Sequence, residues 1–177
     1  MTKKILVALD VSTQAGKALD LAVDMAKPSN AELAIIHIIS DKPLTEGERR
    51  LAETEYQAEV RQALSGPGFS SGPGTPQADA GSFLKTSYDV GLAIRTVIGR
   101  RILDGAAANA RSKGLSSVRT MLADGDPADM LVQAAEKEKP DLLVMGSRGI
   151  GGIQGLFMGS VSHKVSHLVA CSVVIVR

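Results

Sequence analysis

A short apolar run ending at Met145 leads into a chain of glycines, Gly146, Gly149, Gly151, Gly152, Gly155 and Gly159, and the last opens onto Ser160, Val161 and Ser162. Glycine lets backbone N–H groups approach an anion without a side chain in the way. A helix starting at Ser160 adds unsatisfied donors and a partial positive charge. Phosphate is the anion such a nest fits best, so the segment is expected to bind phosphate or a nucleotide. The alternative is a long loop closed by an ordinary serine cap. The sequence contains no GxxxxGK[ST], and its glycines do not fall as GxGxxG after a strand. A P-loop NTPase and a standard dinucleotide-binding domain are therefore not expected.

A second group sits near the start, where Asp10, Val11 and Ser12 follow directly on the apolar run Ile5 to Leu9. A carboxylate beside polyphosphate repels it unless a divalent cation lies between, which makes Asp10 a candidate Mg²⁺ ligand, direct or through water. Asp10 or Ser12 could equally cap the first helix, and the two roles can coexist. His163 and His167 stand four apart, the spacing of a metal pair, but the sequence shows no third ligand. His37 reads as a hydrogen-bonded structural residue and Cys171 as a small core or interface residue. The GxSxG spacing of Gly68 to Gly72 lies in a Gly/Pro-rich stretch rather than after an apolar strand run, so it is no nucleophile elbow and a hydrolase triad is not indicated.

The elements that must position these residues are legible as alternating strands and helices. Ile5 to Leu9 is continuously apolar, the pattern of a strand buried on both faces in a parallel sheet covered by helices. Further strands are expected over Glu32 to Ile39, Ser117 to Leu122, Leu142 to Met145 and Ser172 to Val176. Ala15 to Lys27 reads as a helix with Ala18, Leu19, Ala22, Val23 and Ala26 on one stripe, closed by Pro28. Asp126 caps another, with Pro127 at its first position, running to Lys139 before Pro140. Ser160 to Val169 is the last. This is an α/β domain with right-handed crossovers, and such sheets bind ligands at the carboxyl ends of their strands. The loops after Leu9, Ile39 and Met145 are the places to look.

The middle departs from that rhythm. Leu44 to Leu64 is expected as one charged, solvated helix. Ser65 to Ser82 turns to Gly, Pro and Ser, with five Gly and three Pro between Gly66 and Gly81, and is expected as a loop or mobile insertion. Leu84 to Ser112 resumes as a helix whose apolar stripe runs from Val90 to Leu103. Its second half is expected to pack on the sheet, because the chain must cross back to the next strand.

At 177 residues the chain is expected to form one domain, spanning residues 1–177 and carrying the 65–82 segment as an insertion. A net charge of +1 gives no global field to attract nucleic acid or an anionic membrane. Three Phe, two Tyr and no Trp leave few platforms for stacking bases. The single cysteine, Cys171, has no disulfide partner and suits a reducing, cytoplasmic compartment. Asp10 ends the first apolar run too early for a signal peptide, and the remaining runs are too short to span a bilayer.

Gly146, two residues, Gly149, nine residues and then Gly159-Ser160 reproduce a G-x2-G-x9-G-[ST] pattern. With Lys4 to Ser12, Gly125-Asp126-Pro127 and Cys171 to Val176, the chain resembles the ATP-binding branch of the universal stress protein family over about residues 1–64 and 100–177. The resemblance implies an open, Rossmann-like five-stranded parallel sheet in the order 3-2-1-4-5 and a homodimer made through Val173, Val174, Ile175 and Val176. It implies ATP lying across the strand ends with Mg²⁺ at Asp10. Ala8 and Asp10 would flank adenosine and metal, with Ser12 beside them, and the backbone of Ile38 would meet adenine. Met145 and Gly146 would line the ribose and adenine side, Gly149 and Gly159 would admit the phosphates, and Ser160, Val161 and Ser162 would donate to them. Arg148, inside the loop, could screen phosphate charge. Val11 stands where many members have glycine.

The expected function is thus a nucleotide-dependent stress-response or regulatory protein. Turnover would be at most slow hydrolysis or phosphoryl transfer to Ser160 or Ser162, since no general base is apparent. The alternative is an interaction module that presents the 65–100 segment to an unidentified protein partner, with nucleotide incidental. A flavin-type or receiver-like domain is a third reading, against which Asp10 stands alone where a receiver needs an acidic pair.

Overall fold

The computed structural model describes residues 2–39, 44–64, 80–149 and 158–177. The 65–79 part of the expected insertion and the glycines Gly151, Gly152 and Gly155 lie outside the described residues. Two compact units emerge, one of residues 1–40 and 101–177 and one of residues 41–100.

In the larger unit five parallel strands, β1 (Lys4–Leu9), β2 (Glu32–Ile39), β3 (Val118–Asp124), β4 (Leu142–Gly146) and β5 (Ser172–Val176), form one sheet in the order β3-β2-β1-β4-β5. Both the parallel pairing and the order agree with expectation. Two buried layers show why the strands read as continuous apolar runs. Ile5, Val7, Leu33, Ile35 and Val144 point to one face, where α1 (Thr13–Ala26) supplies Ala18, Ala22 and Val23. From α4 (Ala80–Ser112), Leu103, Ala106, Ala107 and Ala110 join the same layer, so its second half packs on the sheet as expected. Leu6, Ala34, Ile36, Leu143 and Met145 face the other way, toward Leu131 and Ala135 of α5 (Pro127–Glu138) and Val165 of α6 (Ser160–Leu168). Helices thus cover both faces.

β3 runs two residues past the expected Leu122, because Ala123 and Asp124 still pair with Ile38 and Ile39 before Gly125 donates to the Ile39 carbonyl. Gly125 takes φ +138°, a conformation that favours glycine, and this turn delivers Asp126 as the N-cap of α5. Asp126 Oδ1 accepts from the N–H groups of Ala128 and Asp129 at 3.1 and 3.0 Å.

Within residues 41–100 the expected single helix over Leu44 to Leu64 is two, α2 (Glu46–Thr54) and α3 (Gln57–Leu64). Glu55 and Tyr56 both donate to the Leu51 carbonyl, which closes α2 and restarts the chain. Thr45 and Glu48 form a capping box at the start of α2, and Arg95 of α4 pairs with Glu48 at 3.0 Å. Burial alone would raise the Glu48 carboxyl, but the hydrogen bonds from Arg95 and Thr45 hold it below its ordinary value. α4 starts at Ala80, so the last three residues of the segment expected as loop are helical.

Candidate functional site

β1 is flanked by β2 on one side and β4 on the other, so successive crossovers run in opposite directions from it. That reversal opens a crevice at the carboxyl ends of the strands, where an α/β sheet binds its ligands. Asp10, Val11 and Ser12 leave β1 there, and Ser147, Arg148 and Gly149 leave β4.

The two loops touch. Asp10 Oδ1 accepts from the Ser12 N–H at 2.9 Å, and Ser12 Oγ accepts from the Ala15 N–H at 3.2 Å as the N-cap of α1. The helix-cap reading therefore holds for Ser12, and Asp10 secures the turn that places it. The other carboxylate oxygen of Asp10 lies over Gly149, where an added Cβ would stand 2.5 Å from it. Ser12 Oγ also donates to the Arg148 carbonyl across 3.4 Å.

Each motif glycine that can be described has a tertiary reason. A Cβ on Gly146 would meet Gln14 Cβ at 3.0 Å and the Arg148 carbonyl at 3.2 Å, so β4 ends in direct contact with the first turn of α1. A Cβ on Gly159 would lie 3.2 Å from the Ser147 carbonyl. Gly159 is the N-cap of α6 and donates its own N–H to that carbonyl at 2.8 Å. His163 makes the first turn's bond back to Gly159, which leaves the N–H groups of Ser160, Val161 and Ser162 ahead of the intrahelical ladder. Donors of this kind are what an anion at a helix start engages.

The two candidate serines differ. Ser160 is exposed, whereas Ser162 is 2% exposed and its hydroxyl donates to the Ser147 carbonyl at 2.9 Å. Only the Ser162 N–H is left for a ligand. Ala8, Ile38 and Val161 pack against the layer beneath α5 and α6, and Met145 is buried within it at 4% exposure. These four share one face of the sheet, while Asp10, Ser12, Arg148, Gly149 and Gly159 form the connected polar rim above it. A shallow cavity of about 320 Å³ borders Asp10 and Ser12 on the α1 side, with Gly16, Ile102 and Asn109 in its wall.

Ser147 was not among the sequence candidates, yet it is the junction of the site. Its N–H donates to the Val176 carbonyl at 2.6 Å, and its carbonyl accepts from Gly159 and Ser162. Its position inside the glycine spacing was the one available signal. His163 and His167 meet edge to face with ring centroids 4.7 Å apart, and among the described residues no cluster of three His, Cys, Asp or Glu is placed to hold a metal. His37 Nδ1 lies 2.8 Å from the Leu9 carbonyl, the structural role expected of it. Cys171 is half-buried, and burial pushes its thiol up. Among the described residues no helix is long and apolar enough to cross a membrane.

Fold and site together define a doubly wound α/β protein with a glycine-lined, anion-compatible crevice at its strand switch point. The model of the universal stress protein family matches residues 1–177, and the chain belongs to that family. The universal stress protein YxiE of Bacillus subtilis is 32% identical over 180 residues, with all of both chains covered. Among solved structures, the universal stress protein UspA from Lactobacillus plantarum superposes with a TM-score of 0.63 at 20% identity, covering 99% of this chain and 98% of that one. A universal stress protein in complex with cAMP superposes at 0.59 with 26% identity, covering 99% and 97%.

Proposed function

We propose that this protein is an ATP-binding member of the family, a cytoplasmic regulatory protein in which bound Mg-ATP is a signal rather than a fuel. One observation carries the reading: the Asp10 carboxylate lies directly over Gly149, in the loop that leads from β4 to the N-terminus of α6. Phosphate attracted to the helix start would sit near a carboxylate, and a divalent cation between them removes the repulsion. One protein carboxylate plus phosphate oxygens is an ordinary Mg²⁺ environment. The relative in complex with cAMP supports an adenine nucleotide as the ligand class. Ala8, Ile38 and Met145 supply the apolar side for adenosine, and Arg148, Gly149 and Gly159 the phosphate side. Residues 1–177 act as one nucleotide-binding domain with residues 65–82 inserted. Any phosphoryl transfer would fall on the exposed Ser160 hydroxyl, since that of Ser162 is committed to the Ser147 carbonyl.

The test is to identify nucleotide released from denatured protein by mass spectrometry and to titrate Mg-ATP calorimetrically into wild type, Gly159→Val and Asp10→Ala. Gly159→Val crowds the Ser147 carbonyl and should weaken binding by about tenfold or more. Asp10→Ala should bind equally with and without magnesium. Absence of any wild-type binding at millimolar ATP would overturn the reading.

A further inference from the structure

His163 and His167 are metal-ligating side chains that the nucleotide reading leaves unused. Both lie on the exposed side of α6, about one turn apart, and their rings meet edge to face with centroids 4.7 Å apart. Among the described residues no hydrogen bond engages either imidazole, in contrast to His37, which is tied to the Leu9 carbonyl. Lys164, next to His163 in the chain, has its ammonium drawn toward the start of α5, to Asp129 at 2.6 Å and Asp126 at 3.8 Å. Residues four apart on a helix are offset by about 40°, so both imidazoles can turn a nitrogen toward one point in solvent.

We infer that His163 and His167 form a two-imidazole chelate for a divalent transition-metal ion, Cu²⁺, Ni²⁺ or Zn²⁺, with water completing the coordination. Imidazole nitrogen suits these ions, whereas Mg²⁺ takes oxygen ligands, so the site is chemically separate from the one proposed at Asp10. Two ligands on an open surface enforce no geometry, and affinity follows the intrinsic order, with Cu²⁺ tightest. Lys164 stands where the H-E-x-x-H spacing carries its general base, so the pair binds a metal without a hydrolytic role. A bound ion clips one turn of α6, a helix of nine residues whose first N–H groups border the crevice.

The test is calorimetric titration of Cu²⁺, Ni²⁺ and Zn²⁺ into untagged, nucleotide-free protein, using wild type, His163→Gln, His167→Gln and the double variant His167→Gln with Leu168→His. Leu168 is 56% exposed, so the double variant keeps two surface imidazoles but sets them about 140° apart around the helix. Wild type should bind one ion per chain. Each single variant should bind about tenfold more weakly or worse, since even a partner behind a ligand is worth that much. The double variant should bind as weakly as the single ones, because it has the imidazoles without the spacing. Both histidines are exposed, so melting temperatures without metal should match wild type, and saturating Cu²⁺ should raise that of wild type more than that of any variant. Equal affinity in wild type and either single variant overturns the inference. So does a double variant that binds like wild type, since the spacing on α6 would then not be what holds the ion.

Discussion

Gly149 is the position where a single methyl group tests the site most directly. A Cβ there would lie 2.5 Å from an Asp10 carboxylate oxygen, well inside contact distance, so Gly149→Ala must displace Asp10 and with it the turn that presents Ser12. We expect Gly149→Ala and Asp10→Ala each to cost about 1 kcal/mol in urea unfolding, the first from crowding and the second from a lost acceptor. Once Asp10 is gone the methyl has room, so the double variant should cost clearly less than the sum. Strict additivity would mean that the two residues do not meet. The glycine spacing and Asp10 were legible in the sequence because each is a local pattern. What each glycine avoids was not, since Gly146 gives way to Gln14 and Gly159 to the Ser147 carbonyl through tertiary contacts. The Ser12–Arg148 bond spans 136 positions and leaves no trace in either segment. The resemblance implies Ser162 as a phosphate donor; its hydroxyl donates to the Ser147 carbonyl, a contact the sequence does not reveal, which leaves its N–H for that part.

Among the elements, the amino ends of three strands and the carboxyl end of α5 are tied by charge, at the far end of the sheet from the crevice. Arg119 of β3 donates to Glu32 of β2 and, at 2.6 Å, to Glu138 of α5, while Lys4 of β1 reaches Glu138 at 3.4 Å. The Arg119 hydrogen bond holds the Glu138 carboxyl below its ordinary value. A carboxyl lowered in the folded state contributes stability above its unfolded-state pKa and loses it as pH falls through the lower folded value. Glu138→Gln should therefore cost about 1 kcal/mol or less at pH 7, modest because Arg119 is 47% exposed. The difference from wild type should close as the pH falls below the ordinary carboxyl value of 4.5 and through the lower folded one. Urea melts at pH 7 and pH 3 check it, and a gap that persists at pH 3 would assign the loss to packing. The strands themselves were readable because burial on both faces removes polar alternation. The break between α2 and α3 was not, because Glu55 and Tyr56 carry no helix-breaking signal and the turn is made by shared bonding to the Leu51 carbonyl.

For the whole molecule, the two edges of the sheet are unlike. β3 exposes Arg119 and Thr120, and a charged edge discourages pairing with another chain. β5 leaves Val173, Val174, Ile175 and Val176 half-exposed, an apolar edge suited to a second copy of the same strand. This is the surface through which we expect the homodimer to form. The register identifies the residues that would make it. The Val176 carbonyl accepts from Ser147 of the β4 segment, and in a strand the N–H of a residue points to the same side as its carbonyl. Val174 and Val176 thus bond to β4, and the N–H groups of Val173 and Ile175 point away from it. Ile175→Pro removes an outward donor while sparing the ladder to β4, a place where an edge strand tolerates proline. Sedimentation velocity should show wild type as a dimer and Ile175→Pro as a monomer that keeps a cooperative thermal transition. A dimeric Ile175→Pro would move the interface off β5, and a monomeric wild type would remove it. Because Ser147 holds both the β5 carbonyl and the first turn of α6, the same variant should also be titrated with Mg-ATP. A fall in affinity on becoming monomeric would make the β5 edge and the nucleotide crevice thermodynamically linked, with nucleotide strengthening the dimer by the same factor.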